Sequence, residues 1–585
     1  MRLYHDSRSL DCRAPEGAVC VNTPVRLRLY GADECCKARL IFIVNGKRTE
    51  YDMLPVGFGG YEARVNMPQK PSLCWYFFYV ENAKGAGVYY GAPHDGLGGV
   101  GEESCPEPRA FQITVYDTGY KTPEYLRSGV MYQIFPDRFS RSKMPETQRK
   151  DAYVHEQWNE RPLVKVDGLS GDNFALDFFG GDLNGIAAHM AELADLGVTV
   201  LYLNPIFQAR TNHRYDTADY QKIDPFLGSE KDFENLCETA RKYGVHVLLD
   251  GVFSHTGDDS VYFNKYGRYP SVGACQSVAS RYYPWYKFLH YPDDYACWWG
   301  FRTLPEVDKN NDDYRRFIMG HDGVAKKWLR SGASGWRLDV ADELPMSFLR
   351  QLRRSVRDEK KDAALLGEVW EDASHKLAYG ETRCYCLGDT LDSVMNYPLR
   401  DACISFLLGK SDAGALCRLI LSQRENYAPP FYYSLMNLMG SHDRARIISV
   451  LGGSLKRDDE RGDSREPVLS ESQYALGKKR LLTFLQILVS LPGIPCIYYG
   501  DECGMQGAAD PFCRGTYPWG AEDKKLRNDV KSLLALRRMR VLQTGTLDVR
   551  ADGPDTIVIK REITSQHDVF GAPAQNEAYE IRIHR

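Results

Sequence analysis

The sequence predicts an α/β chain built on a TIM (β/α)8 barrel, and three observations carry the prediction. From about residue 125, short apolar runs alternate with amphipathic stretches, the pattern of parallel strands joined by crossover helices. Eight such units follow one another over roughly 400 residues, the count and length of a closed barrel. An open doubly wound sheet is the alternative, and it is disfavoured because no Gly-rich phosphate loop follows any strand. In a barrel the C-terminal ends of all strands face one mouth, so residues far apart in sequence converge there.

Residues 1–122 precede the barrel. Val25-Arg26-Leu27-Arg28-Leu29-Tyr30, Ala38-Arg39-Leu40-Ile41-Phe42-Ile43-Val44 and Cys74-Trp75-Tyr76-Phe77-Phe78-Tyr79-Val80 read as strands between turn signals. Asn45-Gly46 is a hairpin turn. Together they predict an N-terminal β-sandwich of immunoglobulin-like character. The barrel is expected over residues 123–540. Met131-Tyr132-Gln133-Ile134-Phe135 is its first strand, followed by a helix with Ile186, Met190 and Leu193 on one face and Gly197 as its stop. Residues 198–203 make the second strand. Ser229-Glu230-Lys231-Asp232 reads as a capping box, Gly244 ends that helix, and residues 245–249 make the third strand. Gly335-Trp336-Arg337-Leu338-Asp339-Val340, Leu365-Leu366-Gly367-Glu368-Val369-Trp370, Leu391-Asp392-Ser393-Val394-Met395-Asn396-Tyr397, a segment before Gly440, and Ile494-Pro495-Cys496-Ile497-Tyr498-Tyr499 complete the set.

Between the third strand and its helix, residues 253–310 form an insertion rich in aromatics, among them Tyr262, Trp285, Trp298 and Trp299. Loops of that length are usually functional or carry structure of their own. Residues 541–585, with Thr556-Ile557-Val558-Ile559 and Ala578-Tyr579-Glu580-Ile581-Arg582-Ile583, predict a short C-terminal β-domain. The charged stretch 455–466 reads as a solvated loop.

Lys plus Arg number 74 against 78 Asp plus Glu, a net charge of -4 that argues against a nucleic-acid partner. No apolar h-region opens the chain, and no run is long enough for a membrane span, so a cytoplasmic location without a membrane partner is expected. Several of the 16 cysteines, such as Cys74, Cys237, Cys417 and Cys496, sit inside strand-like or helix-like runs, as packed reduced thiols do. Cys35-Cys36 and Cys384-Tyr385-Cys386 lack zinc spacing.

The chemistry concentrates on two strand ends. Successive strand side chains alternate faces, so Arg337 and Asp339 share a side about 6 to 7 Å apart. A fixed cation there is expected to hold Asp339 ionised, as a nucleophile requires. A structural Arg/Asp pair fits this stretch alone equally well. Trp336, Leu338 and Val340 supply the buried side. Burial of Glu368 at the end of its apolar run is expected to raise its pKa toward that of a general acid. One ionised and one neutral carboxyl form the pair that glycoside hydrolysis uses.

With Asp250-Gly251-Val252-Phe253-Ser254-His255 upstream and Gly440-Ser441-His442-Asp443 downstream, the chain resembles the alpha-amylase family (glycoside hydrolase family 13). It is most similar to the subgroup of neopullulanases, cyclomaltodextrinases and maltogenic amylases. Four short motifs in order are a strong signal, although each alone is weak. The resemblance implies a retaining hydrolase of α-1,4-glucosidic bonds in maltooligosaccharides, cyclomaltodextrins, pullulan or starch. It implies Asp339 as nucleophile, Glu368 as acid/base and Asp443 as transition-state stabiliser. Arg337 would orient Asp339, and His255 and His442 would donate to sugar hydroxyls beside Asp250 and Asp443. The segment Thr211-Asn212-His213-Arg214-Tyr215-Asp216 matches one that holds the glucose at the scissile bond, which carries over Tyr215, His213 and Asp216. Asp216 equally reads as a turn residue. Glu343 matches a position facing the acceptor side, and a solvated loop carboxylate is its plain alternative.

In this family the insertion walls the cleft. Leu304-Pro305-Glu306-Val307-Asp308-Lys309-Asn310 departs from its signature, which has Lys-Leu-Asn where Glu306-Val307-Asp308 stand here. The N-terminal module, of carbohydrate-binding type, is expected to mediate a homodimer. Ser254 replaces a calcium-ligating Asn of many relatives, and Asp137-Arg138-Phe139 runs into Ser140-Arg141-Ser142-Lys143 without a cation loop. No cofactor and no obligatory calcium are therefore expected. The rival readings are a 4-α-glucanotransferase, an α-1,6-active (amylopullulanase-like) enzyme, and a non-catalytic glucan-binding protein. The last is disfavoured because Asp339, Glu368 and Asp443 are all present.

Overall fold

A computed structural model describes residues 3–31, 37–82, 85–145, 149–167, 174–455 and 468–585. Cys35-Cys36 and the charged stretch from 456 onward lie outside the described residues. Eight short strands form one parallel ring: β1 Met131–Ile134, β2 Val200–Leu203, β3 His246–Gly251, β4 Gly335–Leu338, β5 Ala364–Gly367, β6 Ser393–Val394, β7 Met436–Leu438 and β8 Ile494–Tyr498. Strands β1 to β6 pair in chain order, β8 pairs with both β1 and β7, and a parallel bridge between Met395 and Met436 closes the ring. The (β/α)8 barrel expected from the alternating pattern is the architecture observed.

Strand alternation divides the apolar residues between two cores. Met131, Val200, Tyr202, Leu248, Leu366, Met436 and Cys496 cluster in the barrel interior. Leu201, Leu249, Trp336, Leu338 and Leu365 belong to the larger core that includes the helices. Arg337 lies opposite Asp250 on β3 and Leu366 on β5, so it shares the interior parity. A buried guanidinium is thereby fixed near the top of the barrel.

The local signals act as their chemistry dictates. Ser229 and Asp232 form the capping box of the helix Glu230–Lys242, and Gly244 follows in the left-handed region at φ +72°. Gly197, at φ +102°, ends the helix before β2. That helix is two pieces, Leu183–Ala188 and Met190–Leu196, broken at His189, while Ile186, Met190 and Leu193 are all buried as expected. In the N-terminal module Asn45 and Gly46 both have positive φ and turn Lys37–Val44 back onto Lys47–Asp52. That strand pair belongs to a seven-stranded sheet, which shares a separate core with a four-stranded sheet. The C-terminal strands Thr546–Ala551, Thr556–Ile563 and Glu577–His584 form an antiparallel sheet.

The N-terminal module docks on the helix Ala413–Asn426. Buried Glu425 receives Arg8 Nε at 2.8 Å and Arg13 Nη1 at 3.3 Å, and the Thr114 hydroxyl donates to the Asn426 carbonyl. Asp117 N–H adds a bond to the Leu387 carbonyl. Removing one partner of a buried ion pair leaves uncompensated charge and costs about 3 to 5 kcal/mol. Glu425→Ala is therefore expected to lower the unfolding temperature and to expose the module junction to limited proteolysis, whereas Glu50→Ala, in an exposed ion pair, is expected to do neither.

Candidate active site

Arg337 is the hub of the barrel mouth. Its Nη1 donates to Asp250 Oδ1 and Oδ2 at 2.8 and 3.0 Å and to Asp339 Oδ1 at 3.0 Å. Its Nη2 lies 2.8 Å from Glu368 Oε2. Asp250 is the penultimate residue of β3, while Asp339 and Glu368 directly follow β4 and β5, so three neighbouring strands each bring one carboxyl to the same guanidinium.

Val340 was expected on the buried side of β4. Instead the strand stops at Leu338, and Val340 is half-exposed in the left-handed region at φ +38°, ψ +65°. For a β-branched residue this backbone is strained. The turn directs the Val340 N–H to Glu368 Oε2 at 2.9 Å and sends the Ala341 N–H to the Glu368 carbonyl. Both anchors of the Glu368 carboxyl, Val340 N–H and Arg337, thus fall on Oε2.

One cation faces three carboxyls, which changes the direction of the pKa shift expected at Asp339. Arg337 alone would hold its pKa low. Burial, the largest effect, together with Glu368 and Asp250 pushes it well above the usual carboxylate range despite Arg337. Burial also raises Asp250 against the pull of Arg337. Because these carboxyls share one cation, a proton taken up by the cluster belongs to the set rather than to one residue. Asp443 stands on the loop after β7, its side chain partly exposed, with His442 Nε2 at 3.3 Å and Arg514 Nη2 at 3.8 Å. Burial, then Glu368, raise its pKa to about 7.

The histidines are neutral and ordered by their partners. Gln133 Nε2 donates to His442 Nδ1 at 2.9 Å, so the proton of His442 sits on Nε2, 2.6 Å from the Tyr215 hydroxyl. Tyr215 O–H and Tyr202 O–H both donate to Asp250 Oδ2, at 2.9 and 2.7 Å, and Asn204 donates to the Tyr215 oxygen. Burial lowers His213 to about 3. Its Nδ1 accepts the Tyr215 N–H, which leaves the proton on Nε2. His255, lowered by burial to about 4, spends both nitrogens on protein: Nε2 on the Tyr215 carbonyl at 3.1 Å and Nδ1 on the Ser254 hydroxyl at 3.0 Å. It braces the Tyr215 loop, so the expected donation to sugar has no free N–H behind it. Asp216 likewise turns to the loop, accepting the Thr211 hydroxyl and the Arg210 and Thr211 N–H groups. Burial raises its pKa to about 6.

Glu343 spans the mouth. Its Oε1 accepts Trp299 Nε1–H from the insertion at 3.0 Å and the Tyr379 hydroxyl from the loop after β5 at 3.2 Å. Trp299 is 74% exposed and stacks beside Trp298 at 5.4 Å, whereas Tyr262, Phe263, Trp285 and Tyr286 are buried and form the insertion's own packing. The same loop after β5 grips Asp342 through Lys376 and through the Tyr385 hydroxyl. Tyr202, Gln133, Asn204, Arg514 and Tyr379 are site residues that the motifs did not mark. Tyr202, on interior parity one residue before the end of its strand pattern, carried a readable signal. Arg514, in the short 3-10 turn Phe512–Arg514 after β8, and Tyr379, on the loop after β5, carried none.

The donor set for a cation is occupied by protein. Asp137 Oδ2 accepts Arg138 Nε–H and Phe179 N–H, its Oδ1 accepts Gly180 N–H, and the Ser254 hydroxyl is spent on His255. Among the described residues no group of three or more His, Cys, Asp or Glu is arranged to hold a metal ion.

A barrel with this carboxyl set at its mouth has known counterparts. The family described as alpha amylase, catalytic domain, matches residues 133–540, and the chain belongs to the alpha-amylase family. An amylopullulanase of Thermoanaerobacterium thermosulfurigenes is 36% identical across 100% of this chain and 33% of its own length. A cyclomaltodextrinase of Geobacillus thermopakistaniensis is 34% identical over 80% of this chain and 70% of its own. Among solved structures, cyclic alpha-maltosyl-(1→6)-maltose hydrolase from Arthrobacter globiformis, in complex with that sugar, superposes with a TM-score of 0.63 at 30% identity. That match covers 75% of this chain and 89% of the hydrolase. The chain spans less than half the length of the amylopullulanases it matches.

Asp443 offers a test of the site's electrostatics. A carboxyl whose folded pKa is raised to about 7 contributes stability that is complete below its unfolded pKa of about 3.9 and is lost as pH rises to about 7. Asp443→Asn is expected to raise the unfolding temperature relative to wild type at pH 8 and to leave it nearly unchanged at pH 4, measured by scanning calorimetry.

Proposed function

We propose that the protein is a retaining glycosidase that hydrolyses α-1,4-glucosidic bonds in maltooligosaccharides, cyclomaltodextrins, pullulan or starch. The observation that carries this reading is the attachment of Asp339 and Glu368 to the two terminal nitrogens of one buried guanidinium. Such sharing favours the close spacing of about 5 to 5.5 Å used in retention over the roughly 6.5 to 9.5 Å of inversion. Asp339 would attack the anomeric carbon and form a glycosyl ester as the C1–O bond breaks. Glu368 would pass its proton to the leaving oxygen, then take one from the water that attacks C1 and releases Asp339. Asp443 and the Nε2–H of His213 would hold sugar hydroxyls. Tyr215, fixed by Asp250, His442 and His255, would present its ring to the glucose at the scissile bond.

A second activity, on α-1,6 bonds, is supported by the whole-chain likeness to proteins named amylopullulanase and by the likeness to a hydrolase of a cyclic (1→6)-linked sugar. The fourteen described cysteines are all free, which supports a reducing, cytoplasmic setting. Among the described residues no helix is long and apolar enough to cross a membrane.

Product analysis on β-cyclodextrin, pullulan and starch, beside Asp339→Asn, tests both activities. Wild type is expected to release reducing sugars with the α-anomer first, seen by proton NMR, and Asp339→Asn to lose at least about three orders of magnitude in kcat. Release of maltotriose from pullulan would mark α-1,6 cleavage, and panose would mark α-1,4 cleavage. A β-anomer, or equal activity in the variant, would refute the mechanism.

A further inference from the structure

Val340 N–H reaches Glu368 only because the chain turns left-handed directly after Asp339. A β-branched residue keeps that backbone only where its surroundings hold it there. What holds it lies two residues on. Ala341–Glu343 form a 3-10 turn, with the Glu343 N–H on the Val340 carbonyl at 2.9 Å, and Asp342 is the buried carboxylate of that turn. Lys376 Nζ pairs with its Oδ2, and the buried Tyr385 hydroxyl donates to its Oδ1 at 2.6 Å. Arg383 clasps the backbone on either side, with Nη2 on the Asp342 carbonyl at 2.5 Å and Nη1 on the Leu344 carbonyl at 3.0 Å. All three partners belong to the loop after β5, the loop that begins with Glu368 itself.

Turn and loop are thus tied twice. At one end the Val340 and Ala341 N–H groups bond the Glu368 carboxyl and carbonyl, and at the other the loop grips Asp342 and Leu344. A carboxylate is costly to bury unless it is paired, so Asp342 fixes the turn to whatever its partners fix. The surroundings of Glu368 show what this achieves. Val340 N–H and Arg337 Nη2 both fall on Oε2, and among the described residues Oε1 takes no hydrogen bond. A proton meant for a leaving oxygen therefore resides on Oε1, and its direction follows from how Oε2 is pinned. One donor on Oε2 fixes the place of the carboxyl but leaves its plane free to rotate. A second donor, the Val340 N–H, fixes the plane.

We propose that Asp342 is the positioning residue of the acid/base: clamped by Lys376 and Tyr385, it holds the Val340 turn so that Glu368 presents Oε1 to the leaving oxygen. The chemistry rests on the glycosidase reading. The geometry rests on the turn alone. In the step concerned Asp339 attacks C1, the C1–O bond breaks, and the electron pair left on the departing oxygen takes the proton from Glu368. A group that departs as a stable anion needs no such proton.

Aryl α-maltosides separate the two cases with leaving groups of similar shape, and kcat/KM reports the step up to departure of the phenol. From 2,4-dinitrophenyl to phenyl α-maltoside, Asp342→Ala is expected to lose almost nothing on the first and about a hundredfold on the second, the cost of a misplaced catalytic group. Log kcat/KM then falls more steeply with leaving-group pKa than in wild type. Tyr385→Phe removes one bond from the same carboxylate and keeps the ring, so it carries the test, with a smaller steepening, if Asp342→Ala fails to fold. A loss uniform across the series, which a merely structural fault or a disturbed acceptor side gives, would overturn the proposal, as would no loss. Arg350→Ala, which breaks an exposed ion pair with Asp389 on the same loop, is expected to keep the wild-type slope, and steepening there would also overturn it. Hydrogen exchange reads the geometry without catalysis: in Asp342→Ala the Val340 and Ala341 amides are expected to exchange faster while those of β4 keep their protection. Unchanged protection of Val340 would overturn the proposal. If the unaltered chain cleaves neither glucan nor maltoside while these amides respond as expected, the glycosidase reading falls and the hold of Asp342 on the Val340 turn and Glu368 stands.

Discussion

The Arg337 guanidinium is the interaction on which the rest of the mouth depends. Taking a cation out of water costs several kcal/mol, and the cost is offset here because carboxyls from three strands converge on it. Each of those carboxyls would itself be costly to bury alone. The arrangement works only if β3, β4 and β5 are in the register that sets Asp250 opposite Arg337 and brings Asp339 and Glu368 one residue past their strands. Barrel register and site electrostatics are thus one constraint. A one-residue slip of β4 would turn Arg337 into the helix layer and leave the carboxyls without their cation.

Around this hub a directional hydrogen-bond chain runs from Gln133 through His442 to Tyr215 and on to Asp250. Its direction follows from Gln133, whose amide donates to His442 Nδ1 and so fixes the tautomer. Burial keeps the histidines uncharged, so none of them competes with Arg337 for the carboxyls. The walls of the mouth come from elsewhere in the chain: Trp299 from the insertion and Tyr379 from the loop after β5 meet on one oxygen of Glu343. The N-terminal module, anchored by Glu425, reaches that same loop through Trp75 and His375.

Much of the scaffold was legible from local chemistry. Asn45-Gly46, Ser229 with Asp232, Gly197 and Gly244 sit where turn and cap energetics put them, because each acts within a few residues. The strands of the barrel could be read from their apolar runs, with ends off by up to three residues and the seventh placed only as a segment before Gly440. The helix break at His189 could not, since Ile186, Met190 and Leu193 keep one apolar face across it. Val340 was misread for the opposite reason. It continues the alternation of β4, and only the demand that its N–H reach Glu368 turns the backbone left-handed. His255 and Asp216 belong to recognisable motifs, yet both face the Tyr215 loop rather than the open site.

The sequence by itself determined the fold class, the family and the identity of the acidic residues at the strand ends, because periodicity, caps and short motifs are local properties of the chain. Only the tertiary structure decided how those groups are charged and what they touch. Burial raises the pKa of Asp339, with Glu368 and Asp250 adding to it, and so reverses the direction that the Arg337 neighbour alone would give. Arg514 and Tyr379 enter the site through loops whose meeting no spacing in the chain records, since proximity there is a product of ring closure rather than of sequence distance.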